Sequence, residues 1–514
     1  MQKVDVLLVK AREHKTIYIE NIEDIRIGYV DSILKRNRIN THIIDFSFYF
    51  TDPASDSETL IEYITANRPK IIIFFIDKHP TNSPAHTIEL LETLLSETEL
   101  KDTHISFYGN THVNITSFFE NSIGSVILGE EYSALSLVDC ILNGGVLDSV
   151  DGIAYRNMNG DITVNRVQLQ ANLDDLPFPT RYALDSIERN TYCASILASR
   201  GCFGKCTYCY LRSKEKYFGN YPLRLRSIEN IIDEIEQLYK LGVTDFYFSD
   251  DEFLQPGYIG NERVRILVEK IKEKKLGIKF SIYSRSDCIN ETIVKSLSSV
   301  GLYCVFLGVE SLCPSVLERY NKGLTVDDSI NAINILKKYN VHIRLGMIMF
   351  DPQTTIEELY CTISALKDLL KTKPELIFQS LFFSNALIPL EDTPSINLLN
   401  VSSKSTISNS VMQENYSRRS RSKKNNYYFS NNTVSDIYTC VEYMAQKLLH
   451  YCIHDENSVY NHEYSAELEF RLLHLTQFAV ELLDLIFTEI THGKNVEQCI
   501  AEIELLIDKY YNIH

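Results

Sequence analysis

The sequence predicts an α/β protein with a helical end, and three observations carry that expectation. Residues 4 to about 145 alternate five short β-rich runs with five amphipathic ones. From Cys193 onward six more β-rich runs alternate with helical ones, and after about residue 396 only helical periodicity remains. A chain of 514 residues is too long for one hydrophobic core, so it should divide. The expected parts are 1–150, a linker at 151–192, 193–395 and 396–514.

The first series reads VDVLLVK then IRIGYVDSILKR, THIIDF then ETLIEYITANR, KIIIFFI then HTIELLETLL, HISFYG then ITSFFENS, and SVILGE then SALSLVDCIL. Its strand-like runs are apolar on both faces, as strands buried between two helical layers must be. This predicts a doubly wound, Rossmann-like parallel sheet. Ligands of such sheets sit beyond the carboxyl ends of the strands, which makes the loops KHPTNSP, GNTH and GEEYS candidates. Between 146 and 192 the chain is punctuated: MNGD is a hairpin-type turn, and the prolines of DDLPFPTR stop any helix.

The second series begins at CASILASRG and continues through DFYFSDD, KFSIYSR, YCVFLGVES, VHIRLGMIMF and ELIFQSLFFS. Six strand-helix units are two short of a closed TIM barrel. They predict an open, partial (β/α)6 barrel of TIM type with its chemistry at the strand carboxyl ends. Beyond it a Ser/Asn-rich stretch leads through SRRSRSKKNN to DIYTCVEYMAQKLLHYCI, EYSAELEFRLLHLTQFAVELLDLIF and VEQCIAEIELLIDKYY. These predict a small α-helical domain behind a mobile loop.

Composition narrows the function. With 45% hydrophobic and 23% charged residues the chain is of the folded class. The N-terminus MQKVDVLLVKAREHK lacks the form of a secretory signal, and no apolar stretch approaches the roughly 20 residues that span a bilayer. We expect a cytoplasmic protein with no membrane partner. The 12 cysteines are scattered except for one trio, unlike a secreted disulfide framework. A net charge of −17 disfavours nucleic acid as a partner, and the basic run Arg418, Arg419, Arg421, Lys423 and Lys424 reads as a solvated loop.

The trio is Cys202, Cys206 and Cys209 of GCFGKCTYCY, directly after the first barrel strand. A closed zinc site needs four ligands, and no second Cys pair or His pair stands at suitable spacing. A redox dithiol would use Cys206 and Cys209 and leave Cys202 unexplained. An iron-sulfur cluster held by three thiolates uses all of them and keeps its fourth iron open for a small molecule.

This C-x-x-x-C-x-x-C run, with Tyr208 before its last cysteine, resembles the radical S-adenosylmethionine (SAM) superfamily. The resemblance implies a 4Fe-4S cluster on the three cysteines and SAM chelated to the open iron. It also implies one-electron cleavage of SAM to a 5′-deoxyadenosyl radical. It places SAM contacts at Tyr208, at Asp250 and Asp251 of FSDDEF for the amino group, and at Ser284 and Arg285 of SRSD for the carboxylate. Further contacts fall at Glu310 of GVES and Lys322 of VLERYNKGLT.

Across roughly residues 1 to 395, the sheet followed by GEEYSALSLVDCIL, GIAYR, LDDLPFPTRY and SRGCFGKCTYC resembles the cobalamin-binding-domain subclass, class B methyltransferase-like. That likeness implies cobalamin over the strand ends, against Thr81, Asn82, Gly109, Asn110, Gly129 and Glu130. Two departures stand out: Gly109-Asn110 with His112 replaces Gly-Gly-His, and GEEY replaces GEGE. Asp77 and His79 of DKHPTN follow the third strand rather than the first, and we read them as a chance likeness to a cobalt-ligand signature. The implied reaction is C-methylation of an unactivated carbon in a small-molecule or peptide natural product. Electrons would come from a flavodoxin or ferredoxin, and no catalytic base is expected. The alternatives are a cobalamin-independent radical enzyme (rearrangement, cyclisation or methylthiolation) with a degenerate first domain, and a non-enzymatic Fe-S or zinc protein. Methylthiolation ordinarily brings three more cysteines in the first domain, whereas the first cysteine here is Cys140.

Overall fold

The computed structural model describes residues 3–11, 22–48, 55–76, 85–98, 100, 102–109, 119, 123–184, 192–379, 382–390, 393–399, 429–452 and 466–511. The first part is β1 (Val6–Lys10), α1 (Ile25–Arg36), β2 (Thr41–Asp45), α2 (Asp56–Asn67), β3 (Ile71–Phe75), α3 (Ala85–Glu97), β4 (His104–Tyr108), β5 (Ser125–Ile127) and α4 (Glu131–Leu142). The strands lie side by side in the order β2-β1-β3-β4-β5, all parallel. Successive residues feed opposite cores: Leu7, Val9, Ile72 and Phe74 enter one, and Val6, Leu8, Ile71 and Ile73 the other. That two-sided burial is what the continuous apolar runs demand, at about 1.5–3 kcal/mol for each large side chain removed from water.

The punctuated stretch contributes to this sheet. MNGD turns β6 (Ile153–Arg156) into β7 (Ile162–Val164), and the hairpin pairs antiparallel with β5, covering an edge that would otherwise expose unpaired backbone. The strand order reverses between β1 and β3, the switch point where such sheets take ligands. Residues 12–21 and 77–84, after those two strands, lie outside the described residues, as do Asn110 and His112. Asp77, His79, Thr81 and Asn82 fall there too.

The second part follows as β8 (Cys193–Ile196), β9 (Ser199–Arg200), α5 (Leu211–Phe218), β10 (Arg224–Leu225), α6 (Ile228–Lys240), β11 (Asp245–Phe248), α7 (Gly257–Glu273), β12 (Lys279–Arg285), α8 (Glu291–Ser298), β13 (Leu302–Glu310), α9 (Pro314–Arg319), α10 (Val326–Lys338), β14 (His342–Met347), α11 (Ile356–Leu369) and β15 (Ile377–Phe378). The six expected strands form one parallel sheet in the order β8-β11-β12-β13-β14-β15. Thr325 and Thr355 start α10 and α11 with capping boxes, each satisfying two otherwise unpaired backbone groups. The β9-β10 ribbon is an addition the hydrophobic pattern did not announce.

Three helices complete the fold: α12 (Asn432–Cys452), α13 (Ala466–Thr491) and α14 (Val496–Tyr511). Among the described residues their buried side chains join the barrel's core. Val434, Ile437, Leu483 and Ile503 belong to the same buried cluster as Ile343 and Ile377 of the barrel. The backbone N–H of Gln379, just after β15, donates to Thr476 Oγ1 at 3.2 Å. α13 thus covers the sixth strand, whose apolar edge residues would otherwise face water. The basic run at 418–424 lies outside the described residues. Among the described residues no helix is long and apolar enough to cross a membrane.

Candidate functional site

The cysteine loop leaves β9 through Gly201, where φ is +85° and a Cβ would lie 2.5 Å from Pro222 O, so no side chain fits. Backbone bonds then pin it. Thr207 N–H donates to Tyr320 O (2.9 Å), Ser395 N–H to Thr207 O (3.1 Å), and Cys209 N–H to Cys206 O (3.3 Å) before α5 begins. Cys206 is buried, Cys202 and Cys209 are half-buried, and the described cysteines are all free thiols. Burial pushes the Cys202 thiol up to about 11 and Cys209 to about 12, so both need a cationic partner to ionise near neutrality. Two donors already face the sulfurs: Gly204 N–H reaches Cys202 Sγ at 3.3 Å, and Arg285 Nη1 reaches Cys206 Sγ at 3.6 Å. No group of three or more His, Cys, Asp or Glu side chains among the described residues converges as a single-ion site does. Three thiols on one loop can each meet a different iron of a cluster.

The acidic run after β11 braces this loop. Asp250 is 3% exposed, and its carboxylate accepts the Ala198 N–H (3.1 Å) and the Ser199 hydroxyl. Burial raises its carboxyl to about 7. Both its oxygens thus accept from the segment that links β8 to β9. Asp251 accepts the Gly201 N–H (3.0 Å) and the Tyr210 hydroxyl, tying the two ends of the cysteine loop together. Glu252, which the sequence reading passed over although it is the third acid of the run, is 2% exposed. It accepts the Arg285 N–H (2.8 Å), the Ser284 hydroxyl (3.2 Å) and the Leu254 N–H (3.1 Å). Burial pushes it up to about 8. Ser284 is thereby aligned under the site rather than pointed freely into it.

Arg285 ends β12 against the loop. Its Nε and Nη2 fork onto Asp287 at 2.9 Å each, Nη2 also donates to Lys322 O at 2.7 Å, and the guanidinium lies over the Phe203 ring. At the end of β13 a register shift and a left-handed φ of +66° turn Glu310 aside. Its Oε1 meets Lys322 Nζ at 2.9 Å, and the same ammonium reaches the Tyr208 hydroxyl at 3.4 Å. A Cβ on Gly308 would lie 3.0 Å from Lys322 Nζ and 3.1 Å from Glu310 Oε1. Burial alone would depress Lys322, but the Glu310 carboxylate more than offsets it and holds the ammonium charged. Behind them Arg319 binds Asp351 and Glu358 and Tyr320 donates to Asp351, a support that residue spacing did not reveal. Three thiols, a carboxylate, an ammonium, a guanidinium and a phenol thus meet at the carboxyl ends of β8, β11, β12 and β13. Charges of both signs suit a zwitterionic ligand.

At the described strand ends of the first sheet, Gly109 and Gly129 are closely packed. A Cβ on Gly109 would lie 2.7 Å from Arg26 Nη1, and one on Gly129 would strike Ser133 and lie 3.2 Å from Gly152 Cα. Glu130 joins the first sheet to the β9-β10 ribbon. Its carboxylate takes a fork from Arg224 (2.8 and 2.7 Å) and the Gln170 N–H (2.6 Å), with Arg200 at 3.4 Å. Glu131 takes a second fork from Arg200 (2.8 and 2.6 Å). Burial opposes ionisation of Glu130, yet the two arginines prevail and hold it at about 2. The GEEY departure from GEGE now has a reason: Glu131 occupies the glycine position and grips Arg200, two residues ahead of Cys202.

Residues 196–365 match the model of the Radical SAM superfamily. An uncharacterized methyltransferase of Pyrococcus horikoshii is 31% identical over 257 residues, 48% of this chain and 53% of that protein. The 4′-phospho-dehydrooxetanocin synthase of Priestia megaterium is 26% identical over 51% of this chain and 38% of its own length. The chain thus spans about half or less of these curated relatives. Among solved structures, the cobalamin-dependent SAM radical enzyme OxsB with aqua-cobalamin and SAM bound superposes with a TM-score of 0.76 at 18% identity, covering 99% of this chain and 80% of that one. The radical SAM methyltransferase TsrM from Kitasatospora setae, with cobalamin and a 4Fe-4S cluster bound, gives 0.61 at 16% identity over 77% of each. At those identities the likeness is one of fold. Residues 196–365 thus match a radical SAM domain, and the chain shares the overall fold of OxsB and TsrM.

Proposed function

We propose that the chain is a radical SAM enzyme whose Cys202, Cys206 and Cys209 hold a 4Fe-4S cluster. One observation carries the reading: three thiols on a pinned loop, two of them met by N–H donors, beside the Lys322, Glu310 and Tyr208 group. Cluster and SAM together supply one-electron cleavage to a 5′-deoxyadenosyl radical, which can take hydrogen from an unactivated carbon. The protein's own residues do the rest. Gly204 and Arg285 donate to the thiolates, Asp251 and Glu252 keep the loop and β12 in register, and Lys322 and Glu310 offer opposite charges to the methionyl end of SAM. Burial of these groups excludes water from the reacting centre.

Cobalamin is the second cofactor we propose, on the likeness of fold to OxsB and TsrM. Of the residues assigned to it, Thr81, Asn82 and Asn110 lie outside the described set. Gly109 and Gly129 are closely packed, and Glu130 accepts from Arg224 and Gln170. The reaction that suits these parts is C-methylation of a small-molecule or peptide carbon, with flavodoxin or ferredoxin as electron donor, in a reducing compartment such as the cytoplasm.

Anaerobic reconstitution with iron and sulfide tests the reading. The expected result is a brown protein with about four irons and SAM-dependent release of 5′-deoxyadenosine, both lost in Cys206→Ser; unchanged release in that variant refutes it. Reconstitution with hydroxocobalamin, followed by desalting, separates a corrin-binding enzyme from the cobalamin-independent alternative.

A further inference from the structure

Arg285 is oriented toward a sulfur more firmly than any ordinary ion pair requires. Its fork onto Asp287 fixes one edge of the guanidinium, and Asp287, 31% exposed, lies on the solvent side. The Lys322 carbonyl holds Nη2, the Phe203 ring covers the plane, and Glu252 anchors the backbone N–H of Arg285 itself. What remains faces Cys206, with Nη1 at 3.6 Å from Sγ. The loop is cut to receive it: a Cβ on Gly204 would lie 2.9 Å from Arg285 Nη1 and 3.4 Å from Cys202 Sγ. The guanidinium is 8% exposed, so its charge acts with little solvent screening.

We infer that Arg285 is a positioning residue for the cluster, setting its reduction potential through an N–H···S bond to Cys206. This rests on the proposed cluster and goes beyond it, because the same arginine was expected to bind the SAM carboxylate. A donor on a ligand thiolate withdraws electron density from the iron-bound sulfur, and a fixed positive charge stabilises the form carrying one more electron. Arg285 therefore holds the potential up, within reach of a ferredoxin-class or flavodoxin-class donor. The step is a one-electron reduction of the cluster; no proton and no leaving group are involved.

The test is a potentiometric titration of the reconstituted full-length protein, poised with dithionite without SAM and followed by electron paramagnetic resonance. Relative to wild type, Arg285→Gln at full iron content is expected to lose about tenfold in the reduction equilibrium constant, about 59 mV for one electron. Arg285→Lys, which keeps the charge without the fork, is expected to fall between the two. An iron-replete Arg285→Gln with the wild-type potential overturns the inference and leaves the cluster reading standing. If Arg285→Gln retains no iron, Arg285→Lys decides: a lowered potential supports the inference and an unchanged one overturns it. A wild-type protein that takes up no iron overturns both.

Discussion

Glu130→Gln removes one charge from the junction of the two sheets and changes almost no volume. Glu130 is held at about 2 against an ordinary value of 4.5, a gap worth about 3 kcal/mol at roughly 1.4 kcal/mol per unit. Because the folded value is the lower one, this stability is present above about pH 4.5 and is lost as pH falls toward 2. The geometry agrees. The substitution leaves Arg224, 8% exposed, with no carboxylate in its fork, and breaking a buried pair from one side costs about 3–5 kcal/mol. The chain has no tryptophan, so urea unfolding is followed by far-ultraviolet circular dichroism. The expected result is a loss of about 3 kcal/mol at pH 7, shrinking steadily between pH 4.5 and pH 2. A loss below about 1 kcal/mol, the scale of an exposed ion pair, or a loss that ignores pH, would refute the view that the arginines ionise Glu130 in a dry junction.

Glu252 works in the opposite sense. Its folded value of about 8 lies above 4.5, so the stability it contributes is full below about pH 4.5 and is lost as pH rises through 8. Glu252→Gln should flatten the decline of the urea midpoint between pH 5 and pH 8.5, and an unchanged slope would count against its being buried and neutral. Gly204→Ala should at least halve iron loading at wild-type helix content, measured by iron assay beside circular dichroism, since its Cβ intrudes on Arg285 and Cys202. Lys322→Ala should weaken SAM binding tenfold or more by calorimetry at unchanged iron content; equal affinity would remove Lys322 from the SAM site. Truncation after residue 399 should yield aggregated protein, because Ile377 and Phe378 lose the cover of α13.

Most of the scaffold was legible in the residue order. Strands apolar on both faces, such as IIIFF, have no stable place except inside a parallel sheet, and the spacing 202, 206, 209 already confines three thiols to one loop. Other features were not. Residue order places Asp250 in the acidic run after a strand, but does not show the Ala198 N–H and Ser199 hydroxyl its oxygens accept from, about fifty positions back. Nothing local distinguishes Glu252 from its acidic neighbours until Arg285 and Ser284 arrive beside it. Gly, Asn, Asp and Pro punctuation makes residues 146–192 read as linker, whereas the hairpin at MNGD pairs antiparallel with the edge of β5.

The sequence alone determined which segments become strands and helices and where the thiols stand, because those follow from hydrophobic period and covalent spacing over a few residues. Only the tertiary structure decided what each charged side chain does. Glu130 meets Arg224 across 94 positions and Glu131 meets Arg200 across 69. Pairings of that reach depend on how two sheets dock, and the energy of a buried charge depends on which partner docking brings to it.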